Sequence, residues 1–296
     1  MEFDQLRYFL QVAQSKSFTR AAEELGISQP ALSRAVQKLE EELGVPVLVR
    51  KTRVVELTDA GLTLRSRAEQ ILSIAEDTKA EISDDGRTGR LRIGAIPTIA
   101  PYFLPHFLKQ FSSEFPEAQI EIYEDTTKNL LRQCSQGEVD MAVMALPVFQ
   151  KYLEVSSLFS EELWLALPKN HSLVDAKNVR LKDLENYTFV MLDEPHCLSD
   201  NILSFCRQRS FQPVVIGRAN QLSMVQELVA LGHGISMVPD MARRLDKSKA
   251  RVYRSLAGQP PTREVVVTWD PYRFQSRLAK RCRERLTDFC QSFTAS

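Results

Sequence analysis

The spacing of the apolar residues changes once along this chain of 296 residues, at about residue 85. Before that point apolar residues recur every three or four positions, which predicts helices. Beyond about residue 90, short apolar runs alternate with helical patterns, which predicts an α/β architecture. The polar segment between them, residues 84–89, contains glycine and is typical of a hinge. The strand-like runs are residues 91–96, 119–124, 141–146, 163–168, 189–192, 213–219, 235–239 and 265–269.

Residues 18–44 have the pattern of two helices joined by a tight turn. Alanines in the first helix allow close helix crossing, and Gly26 interrupts that helix. Ser28 is a good N-cap for the second helix, and Pro30 falls in its first turn, where a missing N–H costs little. The pattern therefore predicts a helix-turn-helix. Spacings of four, three and four predict the buried stripe of the second helix: Leu32, Val36, Leu39 and Leu43.

The other face of the second helix is polar, and its residue types suit DNA recognition. Glutamine can read adenine edges, arginine can read guanine or bind phosphate, and serine can do either. An ordinary helical hairpin with a solvated face is the alternative. The candidate DNA-binding residues of this helix are Gln29, Pro30, Ser33, Arg34, Gln37 and Lys38.

A basic turn between two short β-like runs follows in residues 44–58. Such a hairpin is typical of a wing, whose basic side chains lie along the DNA backbone. We expect Arg50 and Lys51 to lie along the phosphates and Arg53 to reach a minor groove. A solvated loop is the alternative for the turn alone, but its place directly after a helix-turn-helix favours a wing.

A long helix is predicted next, from a cap at Thr58 to about residue 82. Its apolar residues recur at alternating intervals of four and three, which is the narrow seam of a coiled coil. The seam predicts pairing with a partner helix across a dimer, whereas packing on its own domain is the alternative. The seam residues are Leu64, Ala68, Ile71, Ala75, Thr78 and Ile82.

The charge balance bears on the DNA hypothesis. The chain has 38 Lys+Arg and 38 Asp+Glu, so its formal net charge is zero, which at first disfavours a nucleic-acid partner. Residues 1–67 are also nearly neutral, with ten basic and nine acidic residues. The positions of the charges matter more than the net charge, because the basic residues of the second helix and of the wing are expected to face one way. We therefore expect a modest phosphate footprint with a modest salt dependence.

Other features narrow the class of protein. No run approaches the ~18 apolar residues of a membrane span, and the charged N-terminal residues disfavour a signal peptide. We expect a cytoplasmic protein without a membrane partner, in which thiols are normally reduced. The five cysteines show no metal-ligand spacing, so we expect no metal site, and no motif indicates a cofactor. We expect Cys134, Cys282 and Cys290 to be packing residues.

Cys197 precedes a predicted helix that begins near Ser199 and Asp200. The partial positive charge of a helix N-terminus favours a thiolate, the form that peroxide oxidises to a sulfenic acid, and His196 could support it. Cys206 could resolve the sulfenic acid, but nine residues rise about 13.5 Å along a helix, and a disulfide needs Cα atoms within about 7 Å. A bond between the thiols therefore requires unwinding, and two buried structural cysteines are the alternative.

The string SFTRAAEELGISQPALSRAVQKLEEELG, followed by a wing ending in ELTDAG, resembles the LysR-type transcriptional regulators, and the resemblance covers the whole chain. It implies an N-terminal all-α winged helix-turn-helix with a linker helix, and a C-terminal α/β effector domain of two subdomains, like periplasmic binding proteins of type II. It also implies a homodimer or homotetramer on a palindromic operator in double-stranded DNA, with RNA polymerase as a partner. The implied divisions are the DNA-binding domain 1–58, the linker helix and hinge 59–89, and the effector domain 90–296, with subdomain I at 90–161 and 267–296 and subdomain II at 162–266.

Within that family, the segment HCL-x-D followed by FC resembles the peroxide-sensing OxyR branch. The segment IPTIAPY after the first effector-domain strand agrees with it. The resemblance implies that Cys197 is the peroxidatic and Cys206 the resolving cysteine of a redox-active disulfide. The residues that it places in the peroxide pocket are Thr98, Thr127, His196 and Asp200.

The chain also departs from that branch. Ser199 stands where a basic residue is common, Ile216 where some members have histidine, and Asp270 where an arginine is expected. Arg273 is the candidate replacement for this missing pocket arginine. Fewer positive groups would raise the pKa of Cys197 and slow its oxidation.

The leading hypothesis is a regulator, not an enzyme, that senses hydrogen peroxide through a Cys197–Cys206 disulfide. The runner-up is a regulator that binds a small organic anion between the subdomains near Thr98 and Thr127, with structural cysteines. A third reading is a solute-binding module or an enzyme that uses Cys197 as a nucleophile. The DNA-reading head disfavours it, as does the lack of an acid–base partner beyond His196.

Overall fold

The computed structural model describes residues 1–50, 55–83, 87–193 and 197–293. Contacts between residues divide the chain into the compact units 1–83 and 84–296. The first unit is mainly helical, and the second has alternating strands and helices. The change of architecture therefore falls where the spacing of the apolar residues changes. The helices of the first unit are α1 (Phe3–Ser15), α2 (Phe18–Leu25), α3 (Gln29–Leu43) and α4 (Asp59–Ser83).

Helices α2 and α3 form the predicted helix-turn-helix. The side chains of Ser17 and Ser28 cap the two helices by accepting hydrogen bonds from backbone N–H groups of the first turns. Gly26 ends α2 with a left-handed φ of +68°, which glycine adopts without strain. The apolar stripe of α3 is buried except for Leu43, which is 39% exposed at the end of the helix.

In the predicted wing, β1 (Leu48–Arg50) and β2 (Val55–Leu57) form a short antiparallel pair. The carboxylate of Glu40 accepts hydrogen bonds from the backbone N–H groups of Val47 and Leu48, at 2.7 and 3.0 Å. Because Glu40 belongs to α3, these bonds connect the start of β1 to the second helix of the helix-turn-helix.

Helix α4 shows which part of the predicted dimer seam is covered within one chain. Ala68 is fully buried, and Leu64 and Ile71 pack against the core that α1, α2 and α3 form. The first half of the seam thus packs on its own unit, which was the alternative for this helix, because α1 lies against it. Farther along, Thr78 is exposed and Ile82 is 84% exposed. A role in dimerisation remains a proposal for this second half.

The α/β unit is built on a mixed sheet in the order β10-β6-β11-β5-β3-β4, with β9 also paired to β6, and on a parallel pair of β7 and β8. Its strands are β3 (Gly89–Ala95), β4 (Ala118–Glu124), β5 (Met141–Ala145), β6 (Glu154–Pro168), β7 (Thr188–Leu192), β8 (Val214–Ala219), β9 (Ser236–Pro239), β10 (Arg251–Arg254) and β11 (Thr262–Trp269). Its helices are α5 (Ala100–Glu114), α6 (Thr127–Gln136), α7 (Cys197–Gln208), α8 (Leu222–Ala230), α9 (Asp240–Leu245) and α10 (Arg277–Phe293), with a 3-10 turn at Leu181–Leu184.

The long strand β6 crosses between two hydrophobic cores. Up to Glu162 it pairs with β11, and from Leu163 it pairs with β9. Core I contains buried residues of β3, α5, β5, β11 and α10, and core II contains those of β7, α7, α8, β9 and the second half of β6. Strand β11 begins at Thr262, ahead of the predicted return to subdomain I at residue 267.

The strand pattern in the sequence missed two segments. Residues 154–162 form the first half of β6, in which polar residues dominate and several side chains are exposed. Residues 251–254 form β10 at the edge of the sheet, with half-exposed polar side chains. Neither segment presents the apolar run by which the other strands were identified.

Gly61 provides a test of how closely α4 approaches the wing. A Cβ at Gly61 would lie 2.0 Å from the Val47 carbonyl oxygen, so α4 or the base of the wing must shift in Gly61→Ala. We expect this variant to lose about 2–3 kcal/mol of stability in the N-terminal unit, although helix propensity alone favours alanine by about 1 kcal/mol. Amide hydrogen exchange of α1 to α4 in the full-length protein measures the loss.

Gly44→Ala is the matched control, because Gly44 has a φ of +72° and the added Cβ would meet no atom of the described residues within 4 Å apart from its chain neighbours. It should lose only the about 1–2 kcal/mol of a left-handed residue. Equal or stronger amide protection in Gly61→Ala than in Gly44→Ala would contradict the steric explanation.

Candidate functional site

The candidate DNA-binding face lies on α3. Gln29, Pro30, Arg34 and Lys38 are exposed, while Ser33 is half-buried. The buried stripe of the same helix holds this polar face outward. Of the wing residues in the hypothesis, Lys51, Arg53 and the side chain of Arg50 lie outside the described residues.

Cys197 is the first residue of α7 and is half-buried. It lines a cavity of about 630 Å³ between α6, α7 and the segment that follows β5. Two of the predicted pocket residues, Thr127 and Asp200, line the same cavity. The remaining lining residues are Lys128, Leu131, Arg132, Ser135, Gln136, Pro147, Phe149 and Gln150.

The surroundings of the Cys197 thiol act on its pKa in opposite directions. Burial raises the pKa of Cys197, and the Asp200 carboxylate adds to the rise. The positive charge of Arg263, the Thr127 hydroxyl and the Ala145 backbone act to lower it. The net direction is upward, opposite to what the helix N-terminus alone predicts, because desolvation of the thiolate is the largest effect.

Arg263 is a buried cation that the sequence did not identify as a site residue. Its Nε donates to Glu161 at 2.8 Å, and its Nη1 donates to the Thr98 hydroxyl at 2.8 Å. Its Nη2 donates to the Thr98 carbonyl oxygen at 3.0 Å. Thr98 is therefore held by the cation that acts on Cys197, although it is not among the residues that line the cavity in the described part of the chain.

The predicted pocket residues Thr127, Asp200 and His196 differ in burial and in whether the structure describes them. The Thr127 hydroxyl oxygen is buried and has no hydrogen bond of ordinary geometry within the described residues, although it lies near enough to the thiol to affect its pKa. Asp200 is exposed at the cavity wall. His196 lies outside the described residues.

Cys206 lies in a different environment from Cys197. It is fully buried in core II, and burial raises its pKa to about 11, whereas Cys197 packs against core I. Helix α7 runs without interruption from one cysteine to the other. Its rise of about 13.5 Å over nine residues keeps the thiols apart, and all five cysteines are free.

The candidate replacement for the pocket arginine, Arg273, lies beside the cavity wall. It donates from Nε to the carbonyl oxygen of Ser135, a lining residue at the end of α6, and its charge is not among the largest influences on the pKa of Cys197. Arg263 on β11 is the cation among those influences. A signal for it existed, since Arg263 lies two residues before the buried Val265 and therefore on the same face of the strand.

Two other departures have structural consequences. The Ser199 hydroxyl is buried and donates to the Leu192 carbonyl oxygen at 2.7 Å. Ile216 is 59% exposed on β8.

The remaining cysteines are buried, and burial raises the pKa of Cys134 and Cys290 to about 12 and that of Cys282 further. They are packing residues of core I.

None of the helices in the described residues is long and apolar enough to cross a membrane. Within the same residues, no group of three or more histidine, cysteine, aspartate or glutamate side chains is arranged to hold a metal ion.

Comparison with known proteins adds independent findings. Residues 3–62 match the bacterial regulatory helix-turn-helix protein, lysR family, and residues 84–291 match the LysR substrate binding domain. The DNA-binding transcriptional dual regulator OxyR of Escherichia coli is 33% identical over 275 residues, which cover 92% of this chain and 90% of the relative.

Solved structures of similar proteins agree with the sequence relatives. A full-length OxyR variant from Pseudomonas aeruginosa superposes with a TM-score of 0.76 at 28% identity, covering 98% of this chain and 95% of that chain. An H2O2-bound OxyR variant from Corynebacterium glutamicum has a TM-score of 0.67 at 32% identity, covering 99% and 96%.

The influence of Asp200 on the thiol can be measured. Asp200→Asn removes a negative charge that raises the pKa of Cys197, so more thiolate is present at pH 7. We expect iodoacetamide to alkylate Cys197 about twofold faster at pH 7, with the rate profile shifted to lower pH. Site-resolved mass spectrometry gives the rate. Glu117→Gln, an exposed carboxylate elsewhere in the unit, is the control, and an unchanged or slower rate in Asp200→Asn would refute the assignment.

Proposed function

The chain belongs to the LysR family of bacterial transcription regulators, and on that premise we propose that it senses hydrogen peroxide by oxidation of Cys197. The observation that carries the proposal is the position of this thiol at the start of α7. It is half-buried at a cavity wall, beside the buried Thr127 hydroxyl and under the influence of the buried Arg263. Its relatives include a protein named hydrogen peroxide-inducible genes activator and an H2O2-bound OxyR variant, which supports this assignment.

In the first proposed step, the Cys197 thiolate attacks one oxygen of hydrogen peroxide. The O–O bond breaks and an S–O bond forms, so that sulfur is oxidised to a sulfenic acid and the other oxygen leaves as hydroxide, which takes up the thiol proton. We assign peroxide binding to the Thr127 hydroxyl, whose oxygen is buried without a hydrogen bond of ordinary geometry among the described residues. Thr98, held by Arg263, and Asp200 and His196 complete the proposed peroxide pocket.

In the second proposed step, the Cys206 sulfur attacks the Cys197 sulfur. The S–O bond breaks, the S–S bond forms, and the hydroxyl leaves as water with the Cys206 proton. Because an intact α7 holds the thiols in different cores, the helix must unwind before they meet. A helix when reduced and a remodelled segment when oxidised would form the two states of a switch.

The proposed output is a change in DNA binding in the cytoplasm, where thiols are reduced again after oxidation. We assign operator recognition to the α3 face and the wing, dimerisation to the second half of the α4 seam, and assembly to a dimer or tetramer on a palindromic site with RNA polymerase as a partner. The proposed DNA-binding residues are Gln29, Pro30, Ser33, Arg34, Lys38, Arg50 and Arg53.

A second candidate signal is a small organic anion. The cavity beside Cys197 is large enough for one, and Lys128 and Arg132 line it together with the apolar Leu131 and Phe149. In that case the cysteines are structural, and Cys197→Ser keeps the response to the ligand.

The peroxide mechanism has a direct test. After an equimolar dose of hydrogen peroxide, non-reducing peptide mapping of the full-length protein should show a Cys197–Cys206 bond. Cys197→Ser should abolish it, and Cys206→Ser should leave a sulfenic acid on Cys197 that dimedone traps.

Cys290→Ser is the matched control, since Cys290 is buried in core I, and it should form the bond as the wild type does. DNA binding that responds to peroxide without a Cys197–Cys206 bond would reject the mechanism.

The assignment of the α3 face is tested with DNA selected from a random pool by the wild-type protein. Arg34→Ala should weaken binding to the selected site by about tenfold or more, because an arginine contact to a base or phosphate is lost. Arg7→Ala is the control, since Arg7 is an exposed arginine of α1 that pairs with Asp4 at 3.2 Å. Equal losses in the two variants would contradict a reading role for Arg34.

A further inference from the structure

Two side-chain hydrogen bonds hold the first turn of α7. The Ser199 hydroxyl donates to the Leu192 carbonyl oxygen at 2.7 Å, and the Asn201 side-chain amide donates to the Leu146 carbonyl oxygen at 2.9 Å. Both donors lie between Cys197 and Cys206 in the chain. Ser199 is itself buried, so its bond is shielded from water.

The two acceptors belong to different parts of the α/β unit. Leu192 is the last residue of β7 and part of core II, whereas Leu146 directly follows β5 of core I. The first turn of α7 is therefore hydrogen-bonded to both parts of the unit, at the point where the helix passes from one core to the other. The Asn201 side-chain oxygen is buried without a partner in the described residues, so its Leu146 bond is made at some desolvation cost.

We propose that Ser199 and Asn201 are positioning residues that hold the first turn of α7 and thereby set the rate at which oxidised Cys197 reaches Cys206. This inference rests on the disulfide step of the proposed function. It assigns a role to Ser199, which replaces the basic residue common in the OxyR branch, and to Asn201.

The two hydrogen bonds are kept only while α7 is helical between the cysteines. Nine helical residues separate the thiols by about 13.5 Å, so the disulfide requires that the segment containing Ser199 and Asn201 leave its helical position. The bonds to Leu192 and Leu146 then stabilise the helical state and are absent once the segment is remodelled. Removing a bond of this kind speeds the departure from the state that it stabilises.

The first oxidation step should be unaffected. The groups with the largest influence on the pKa of Cys197 are Arg263, Thr127, Ala145 and Asp200. Neither Ser199 nor Asn201 is among them. The two substitutions should therefore change the rate of disulfide formation without changing the rate of sulfenic acid formation. A general loss of structure would change both rates.

The experiment compares Ser199→Ala, Asn201→Ala and Ser204→Ala in the full-length reduced protein. Ser204 is exposed on the same helix between the cysteines, so it provides the same substitution without a buried hydrogen bond. Formation of the sulfenic acid is followed with dimedone in a Cys206→Ser background. Disulfide formation is followed by rapid alkylation and intact mass after hydrogen peroxide is added.

We expect Ser199→Ala to form the disulfide about fivefold faster, the effect of one net hydrogen bond, with sulfenic acid formation within twofold of the wild type. The acceleration should be smaller in Asn201→Ala, because that substitution also removes a side-chain oxygen that is buried without a partner in the described residues. The disulfide should also become more stable, with a reduction potential lower by about 20 mV for a fivefold change. Ser204→Ala should be no faster than the wild type, because alanine has the higher helix propensity.

The outcomes separate this inference from the proposed function. If the wild type forms the disulfide and Ser199→Ala is no faster than Ser204→Ala, or if both oxidation steps accelerate together, the positioning role is overturned. If the wild type forms no Cys197–Cys206 bond, the proposed function fails instead. Amide exchange of residues 198–202 then tests whether Ser199 holds the first turn of α7. If it does, exchange is about fivefold faster in Ser199→Ala than in Ser204→Ala. Equal exchange in the two variants rejects that role.

Discussion

The buried guanidinium of Arg263 is the interaction around which the α/β unit is arranged. A cation in the interior is tolerated only when it is paired and hydrogen-bonded, and here Glu161, the Thr98 hydroxyl and the Thr98 carbonyl supply the partners. Glu161 also accepts a hydrogen bond from Met241 N at the start of α9. One charge thus joins β11, β6, the turn after β3 and α9. Removing one partner of such a pair typically costs about 3–5 kcal/mol.

The same cation connects the fold to the thiol. Its positive charge opposes the burial that raises the pKa of Cys197, so the residue that stabilises the unit also adjusts the reactivity of the proposed sensor. Helix α7 supplies the second constraint, because it places its first residue against core I and Cys206 inside core II. A helix that stays intact keeps the thiols apart, and the stability of its first turn therefore governs the proposed switch.

Much of this arrangement can be predicted from local patterns. The spacing of Leu32, Val36 and Leu39 predicted the buried face of α3, and the caps and turn glycine predicted its boundaries, because these signals act over a few residues. The strands with continuous apolar runs were identified for the same reason. The first half of β6 was missed because its residues are mostly polar. It is a strand because it pairs with β11, a segment about a hundred residues away. The seam of α4 shows the same limit, because its spacing does not reveal that α1 covers Ala68.

For the candidate site, the sequence by itself determined the chemistry that is available: a cysteine before a helix, a second cysteine nine residues later, and threonines in motifs that resemble a known sensor branch. Only the tertiary structure decided that Thr127 and Asp200 share a cavity with Cys197, that the buried Arg263 acts on the thiol, and that Ser199 and Asn201 bond α7 to residues of two cores. The reason is physical. Capping and helical spacing depend on neighbours in the chain, whereas burial, charge pairing and the net pKa of a thiol depend on residues that only folding brings together.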